Sequence, residues 1–328
     1  MHWRDYYARE LAGEPGQAFV REKLSRYPQG DPQLTEILSC GGIISFPHTS
    51  IYYSGEPIAR LVGTLYQLGI KQIIALGVLH HGVLPEPFRR GYQELTLLSS
   101  SETPDAGRGR QLWEQFRGTL LRRSPIETPF GPVPLAQAPQ PAGKLIKKNE
   151  AMLAAEFSLD IFFALLAAGA RQRGIAPPSV LPLFISATRD PQGSFAAATQ
   201  LALRLTELSG PGTAIVTTGD LVHYGTAYST AQEMADKPRG QAELEEFFLR
   251  RTQETLDLAC RRDYQGFFRI ASQELKADQR QIVPLIGEYL GGGMSYQILQ
   301  FSLSDYSAIL EVEPPCLVAS ALVGFLPG

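Results

Sequence analysis

Cysteine is scarce in this chain, long apolar runs are missing, and no block of like charge occurs anywhere along it. The three cysteines, Cys40, Cys260 and Cys316, are an odd, widely spaced set without a Cys-x-x-Cys pair. That argues against a disulfide framework and fits a reducing cytoplasm, with the thiols acting as small core residues. The longest useful apolar stretch, Ile161 to Ala170, is too short to span a bilayer. The opening stretch MHWRDYYARELAGEPG has no apolar segment, so no signal peptide is expected. The formal net charge is −3, and neither nucleic acid nor a membrane surface is an expected partner. What remains is ordinary globular composition, 44% hydrophobic and 19% charged over 328 residues. A single large α/β domain can reach that size. A homodimer is compatible with the sequence, which demands no particular oligomeric state.

Histidine is also rare, yet it is concentrated. Four of the five, His48, His80, His81 and His223, fall where an apolar, β-rich run gives way to a loop. The runs are IISFPH, IIALGVLHH and AIVTTGDLVHYG. Ligands of open α/β sheets bind in the crevice beyond the carboxyl ends of the strands. Imidazoles delivered there from three strands can converge on one point, which is the signature of a metal centre.

The rest of the chain supports such a sheet. Residues 1–33 read as a polar, partly helical N-terminal extension, and residues 34–328 as one α/β domain. Its expected architecture is a central, mostly parallel or mixed sheet with helices on both faces. Gly42–Phe46 is a buried strand, followed by a loop through Tyr53 and Gly55. A helix is expected from Pro57, with Ile58, Leu61, Val62, Leu65 and Leu68 at helical spacing and Gly69 as its stop. Gln72–Leu76 is the next buried strand, and the crossover brings His48 and His80-His81 to the same sheet edge. Strands are also expected at 180–186, 213–219, 295–303 and 316–325, and helices at 150–171, 193–209, 241–260 and 282–290. Ser124–Lys144 is a proline-rich, semi-rigid loop, either a lid or a plain connection.

Several segments together resemble the Memo family, relatives of the class III extradiol dioxygenases. PHTSIYYSG (Pro47–Gly55) is similar to its PHAGYxYSG-type segment, and GVLHHG (Gly77–Gly82) to its GPSHH turn. TPFGPVPL (Thr128–Leu135) resembles the TPLGxxPV loop, and GDLVHYG (Gly219–Gly225) the SDFSHYG-like strand end. AEFSLDIFFALL (Ala155–Leu166) stands in the place of the EHSxExxLPFL helix. The resemblance implies that His48 and His81 are metal ligands. Memo proteins supply a cysteine as third ligand and the ring-cleaving dioxygenases a glutamate; here ADQRQIVPLIG places Asp278 at that position and Arg280 at the family's arginine. Glu274, one helical turn away, is the alternative. His223 would match the acid/base histidine of the dioxygenases, with Asp220 beside it. Phe157 replaces a customary histidine, Phe162 occupies another polar slot, and the AGSFYP segment is absent, so a more apolar pocket than usual is implied.

Read by themselves, these residues leave choices open. His80 and His81 point opposite ways on an extended chain, so His80 is catalytic, supporting or structural. Asp220 orients a histidine or caps a turn. Asp278 is a ligand or a helix cap. Glu156, unusual on an apolar helix, faces the pocket or a solvated edge. Tyr52, Tyr53 and Tyr224 line a substrate cavity or simply pack.

The expectation that follows is a mononuclear non-haem iron oxidoreductase acting with O₂ on a small, aromatic or bulky apolar substrate. Fe(II) would be held by His48, His81 and Asp278, with zinc or copper as alternative metals. His223, Asp220 and His80 are the catalytic candidates, and Glu156, Phe157, Tyr53, Tyr224 and Arg280 the substrate-binding ones. The alternatives are a zinc-type hydrolase or lyase and a non-enzymatic, Memo-like adaptor that binds metal or peptide.

Overall fold

The computed structural model describes residues 3–99, 106–137 and 145–328. Nine strands form one mixed sheet: β1 (Ile43–Phe46), β2 (Gln72–Val78), β3 (Gly118–Leu121), β4 (Ile146–Lys147), β5 (Ser179–Ala187), β6 (Thr213–Thr218), β7 (His223–Gly225), β8 (Ser295–Asp305) and β9 (Cys316–Leu326). Their order is β4-β3-β5-β2-β6-β1-β9-β7, with β8 paired to β9. The middle four, β5-β2-β6-β1, are parallel. β9 closes one side antiparallel to β1, and β3 the other antiparallel to β5.

The apolar run of β2 explains why helices cover both faces. Successive strand residues point to opposite sides, and all of Ile73 to Val78 is buried. Ile73 and Ala75 join one core with helices Ile51–Gln67 and Asp160–Arg173. Ile74, Leu76 and Val78 join a second core with helices Ala196–Leu208, Gln241–Cys260 and Val283–Tyr289. A strand buried on both faces is apolar at every position, as parallel strands generally are. Among the described residues no helix is long and apolar enough to cross a membrane.

The sequence misplaced the starts of two helices. The helix after β1 starts at Ile51, not Pro57, because the Ser50 hydroxyl accepts from the Tyr52 amide as N-cap. Pro57 therefore sits inside the helix, and Tyr53 is helical rather than in a loop. The expected helix from Glu150 begins only at Asp160, after a series of turns. The N-terminal segment forms helices Trp3–Ala12, Glu14–Ser25 and Pro32–Ser39, and its Leu11, Val20 and Leu24 are buried in the first core. Helices Phe88–Ser99 and Ala106–Phe116 with β3 and β4 fill a stretch in which the residue pattern predicts no element. Residues 126–135 of the proline-rich segment pair with one another and with β5, Ile126 with Val133 and Leu135 with Val180; its residues 138–144 lie outside the described ones.

Phe162 belongs to this core and not to a pocket: it is fully buried and stacks on Phe46 of β1 with ring centroids 4.9 Å apart. Phe162→Ala should therefore lower unfolding stability by about 3–5 kcal/mol, measured by urea denaturation, while leaving metal content per folded chain unchanged.

A candidate metal centre at the carboxyl edge of the sheet

Three neighbouring strands, β2, β6 and β1, deliver their carboxyl ends side by side. His48 follows β1, His80 follows β2, Asp220 follows β6, and His223 opens β7. Asp278 starts a one-turn 3₁₀ helix, Asp278–Gln281, laid across this edge. Backbone bonds fix its place: the Asp278 amide donates to the Asp220 carbonyl at 2.9 Å, and the His223 amide to the Leu275 carbonyl at 2.9 Å. Gln279, fully buried, donates to the Gly219 carbonyl at 3.1 Å and to the Ser45 hydroxyl. Gly219 makes that approach feasible, since a Cβ there would lie 2.5 Å from Gln279 Cγ.

The side chains converge. His48 Nε2 lies 3.2 Å from His80 Nε2 and 3.4 Å from Asp278 Oδ2. His80 Nε2 and His223 Nε2 lie 3.7 and 3.8 Å from the same carboxylate oxygen. Asp220 Oδ2 is 3.8 Å from His48 Nε2. Each Nδ1 is meanwhile engaged on the far side. His223 Nδ1 meets the Lys276 carbonyl at 2.9 Å, which can only accept, so this nitrogen carries a proton. His80 Nδ1 donates to Glu156 Oε1 at 3.1 Å. His48 Nδ1 faces the Thr218 hydroxyl at 3.2 Å, whose single proton goes to the Phe46 carbonyl at 3.0 Å, so His48 Nδ1 also donates. With Nδ1 protonated in all three rings, each ring in its neutral form aims its Nε2 lone pair inward. Lone pairs crowded around a carboxylate in a nearly dry site repel one another unless a cation sits among them. Imidazole and carboxylate donors of this kind fit a first-row divalent ion. His48, His80 and Asp278 form one potential ligand set, and Asp220, His223 and Asp278 a second that shares the same carboxylate.

Burial and mutual charge divide the protons. Burial, reinforced by the His80 charge, lowers the His48 pKa to about 3. Burial opposes charge on His80 too, but Glu156 and Asp278 outweigh it and raise its pKa to about 10. Burial and the Asp278 charge push the Asp220 pKa well up. Asp278 keeps its charge: the neighbouring histidines overcome its burial and depress its pKa. Without metal, then, the His80 imidazolium donates Nε2–H to the His48 lone pair.

Beside the cluster lies a cavity of about 1010 Å³. Helix Trp3–Ala12 contributes Trp3 and Tyr7 to its wall, and Tyr228 and Tyr306 line it as well. The Arg4 guanidinium anchors that helix, reaching the Ala154 carbonyl at 2.7 Å and Asp160 at 3.3 Å. The N-terminal segment is thus part of the site's enclosure.

The expected site residues fall into two groups. His48, His80, Asp220, His223 and Asp278 come together. His81 does not: the chain is extended at His80, so the next side chain turns away from the cluster, and the His81 ring stacks near Tyr92 at 6.0 Å on the cavity wall. Glu274 is also elsewhere, paired with Arg251 at 2.7 Å. Glu156 is fully buried and does not line the cavity; its oxygens accept from the His80 amide and ring and from the Phe157 and Ser158 amides, so it positions His80. Phe157 does line the cavity and stacks on the His80 ring at 4.5 Å. Arg280 lines it too. Tyr53 does not, being half-exposed against Tyr306, and Tyr52 lies outside against Phe19. Tyr224 is buried against Phe248, because strand alternation turns it away from its neighbour His223. Trp3, Tyr7, Arg189, Tyr228 and Tyr306 were missed. None carries a local motif, and only the fold brings them to the cavity.

In metal-free buffer the protein should show two opposite pH dependences. The raised His80 pKa contributes stability fully present below its unfolded value near 6.5 and lost as pH rises through about 10. The depressed His48 pKa contributes stability present above about 6.5 and lost as pH falls toward about 3. Urea midpoints across pH should show the alkaline loss disappear in His80→Gln and the acid loss shrink in His48→Gln.

No protein-family model matches the chain, and no curated protein matches its sequence.

Proposed function

We propose that this chain is a metal-dependent oxidoreductase in which His48, His80 and Asp278 hold one Fe(II) ion and a small organic substrate occupies the adjoining cavity. The observation that carries this reading is the convergence of imidazole Nε2 atoms on the Asp278 carboxylate, each ring held by an Nδ1 bond on its far side. Two histidines and one carboxylate with open positions suit non-haem ferrous iron, and the order of motifs resembling the Memo and extradiol-dioxygenase proteins supports the same choice. A bound ferrous ion would supply the redox chemistry that couples O₂ to an organic substrate.

The chain's own residues account for the rest. His223, its Nδ1–H tied to the Lys276 carbonyl, offers Nε2 as a base for a substrate hydroxyl proton, and such positioned transfer contributes roughly 10²–10⁴-fold. Lys276 holds that carbonyl in place from the left-handed region, φ 53°, an uncommon conformation for a residue with a side chain. Asp220 accepts from the His48 amide at 3.3 Å and steadies the loop after β1. Phe157, Trp3 and Tyr7 present an apolar wall beside the cluster, which keeps water away and favours an aromatic or bulky substrate. The three cysteines are unpaired, and the proposal places the enzyme in the cytoplasm.

A second reading has one observation in its favour. His223 brings a third imidazole to the same carboxylate oxygen, at 3.8 Å, and a three-histidine, one-carboxylate set also suits zinc and hydrolytic or lyase chemistry.

Metal analysis of anaerobically purified protein decides between them. Under the first reading the chain carries about one iron, lost in His48→Ala, His80→Ala and Asp278→Ala and retained in His81→Ala. Glu156→Gln should weaken metal affinity by about 10–100-fold. His223→Ala should keep its iron and lose substrate-dependent O₂ consumption, assayed across aromatic diols. Zinc, with metal lost in His223→Ala and no O₂ uptake, would establish the second reading; no metal after reconstitution would overturn both.

A further inference from the structure

The cavity is unevenly charged. Its lining carboxylates, Asp220 and Asp278, both belong to the cluster, whereas four long cations, Arg189, Arg269, Lys276 and Arg280, line it as well. Two of the four have partners: Lys276 pairs with Glu233 at 3.1 Å and Arg269 with Glu274 at 3.8 Å. Arg189 and Arg280 make no ion pair within 4.0 Å among the described residues, although both are half-buried; the Asp190 charge beside Arg189 acts on it only from beyond that distance. Arg280 Nη1 donates to the Ala277 carbonyl at 2.7 Å, and Arg189 Nε to Gln265 at 3.4 Å with its guanidinium over the Phe268 ring. Each guanidinium carries five N–H donors, so these bonds leave most of them unused.

These two cations are built into one wall. Arg189 follows β5 at the same carboxyl edge, and Arg280 sits on the 3₁₀ turn that carries Asp278. Gln281 ties the two together: its Oε1 accepts from the Thr188 amide at 2.8 Å and the Arg189 amide at 3.1 Å, and its carbonyl accepts from the Thr188 hydroxyl at 2.7 Å. Burial of the Arg189 guanidinium lowers its pKa, a sign that its charge is held in a partly dry place. Half-buried guanidinium groups are seldom left without an anion, and their forked donors match carboxylate and phosphate oxygens.

We propose that the substrate of this cavity is an organic anion whose carboxylate or phosphate group pairs with Arg189 and Arg280 while its apolar body lies against Trp3, Tyr7 and Phe157. This rests on the reading of the cavity as a small-substrate site, but it does not depend on which metal the cluster holds.

Calorimetric titration with three probes of common shape tests it: benzoate, phenyl phosphate and the neutral benzamide, each added to iron-loaded and to chelator-treated protein. At least one anion should bind about tenfold or more tightly than benzamide in both preparations. Arg280→Gln and Arg189→Gln should each reduce that anion's affinity by about tenfold and leave benzamide unchanged, with Arg280→Lys retaining part of the preference. The stronger of the two anions names the group. Equal binding of anions and benzamide by the wild-type protein, which needs no substitution, would overturn the inference, as would Arg variants that keep the full preference. Intact iron without an anion preference removes only this inference; an anion preference in a chain that holds no metal removes only the metal reading.

Discussion

The site depends on one repeated interaction, the hydrogen bond that each histidine makes with Nδ1 on the side away from the cluster. Thr218, Glu156 and Lys276 each occupy that second nitrogen, and each belongs to a different element: a strand, a turn before a helix, and a loop packed on β7. A histidine free to rotate could present either nitrogen, in either tautomer, at comparable energy. Here the choice is made by groups that the sheet and its helices hold rigidly. The fold therefore does more than bring imidazoles near one another; it sets which atom of each ring faces the centre.

The Glu156 carboxylate shows what such placement costs. A fully buried carboxylate is unfavourable unless its lone pairs are filled. Here four donors fill them, among them the amides of the two residues that follow it, Phe157 and Ser158. Those amides are free to donate because the helix has not yet begun; it starts at Asp160. The late start of that helix and the ionised state of Glu156 are two sides of one arrangement, and Phe157 then lies flat on the ring that Glu156 orients.

Much of this could be read from the residue pattern. The buried strands before His48 and His80, the crossover helix between them and the run into Asp220 and His223 were all legible, because burial on both sheet faces demands an unbroken apolar run. The choice between His80 and His81 was not. It turns on one backbone position at the strand end, and both residues have the same chemistry. Tyr224 against Tyr228 was an error that alternation could have prevented, since Tyr224 follows His223 directly on β7. Glu156 was noticed as an oddity on an apolar segment, but its role required knowing that the segment turns there. Arg189 and the aromatic wall from the first helix were beyond reach, because contacts such as Arg189 with Gln281 and Trp3 with Phe157 join distant parts of the chain and leave no local mark.

The order of the cluster residues along the chain has a consequence for biosynthesis. His48 and His80 emerge from the ribosome early, but Asp278 follows only after strands β1 to β7, and its turn is anchored on Gly219 and Ser45. A nascent chain exposes two imidazoles long before it owns the Asp278 carboxylate that lies between them in the fold. The cluster is therefore complete only late in synthesis, and a protein truncated before residue 278 would present its histidines without the carboxylate they face.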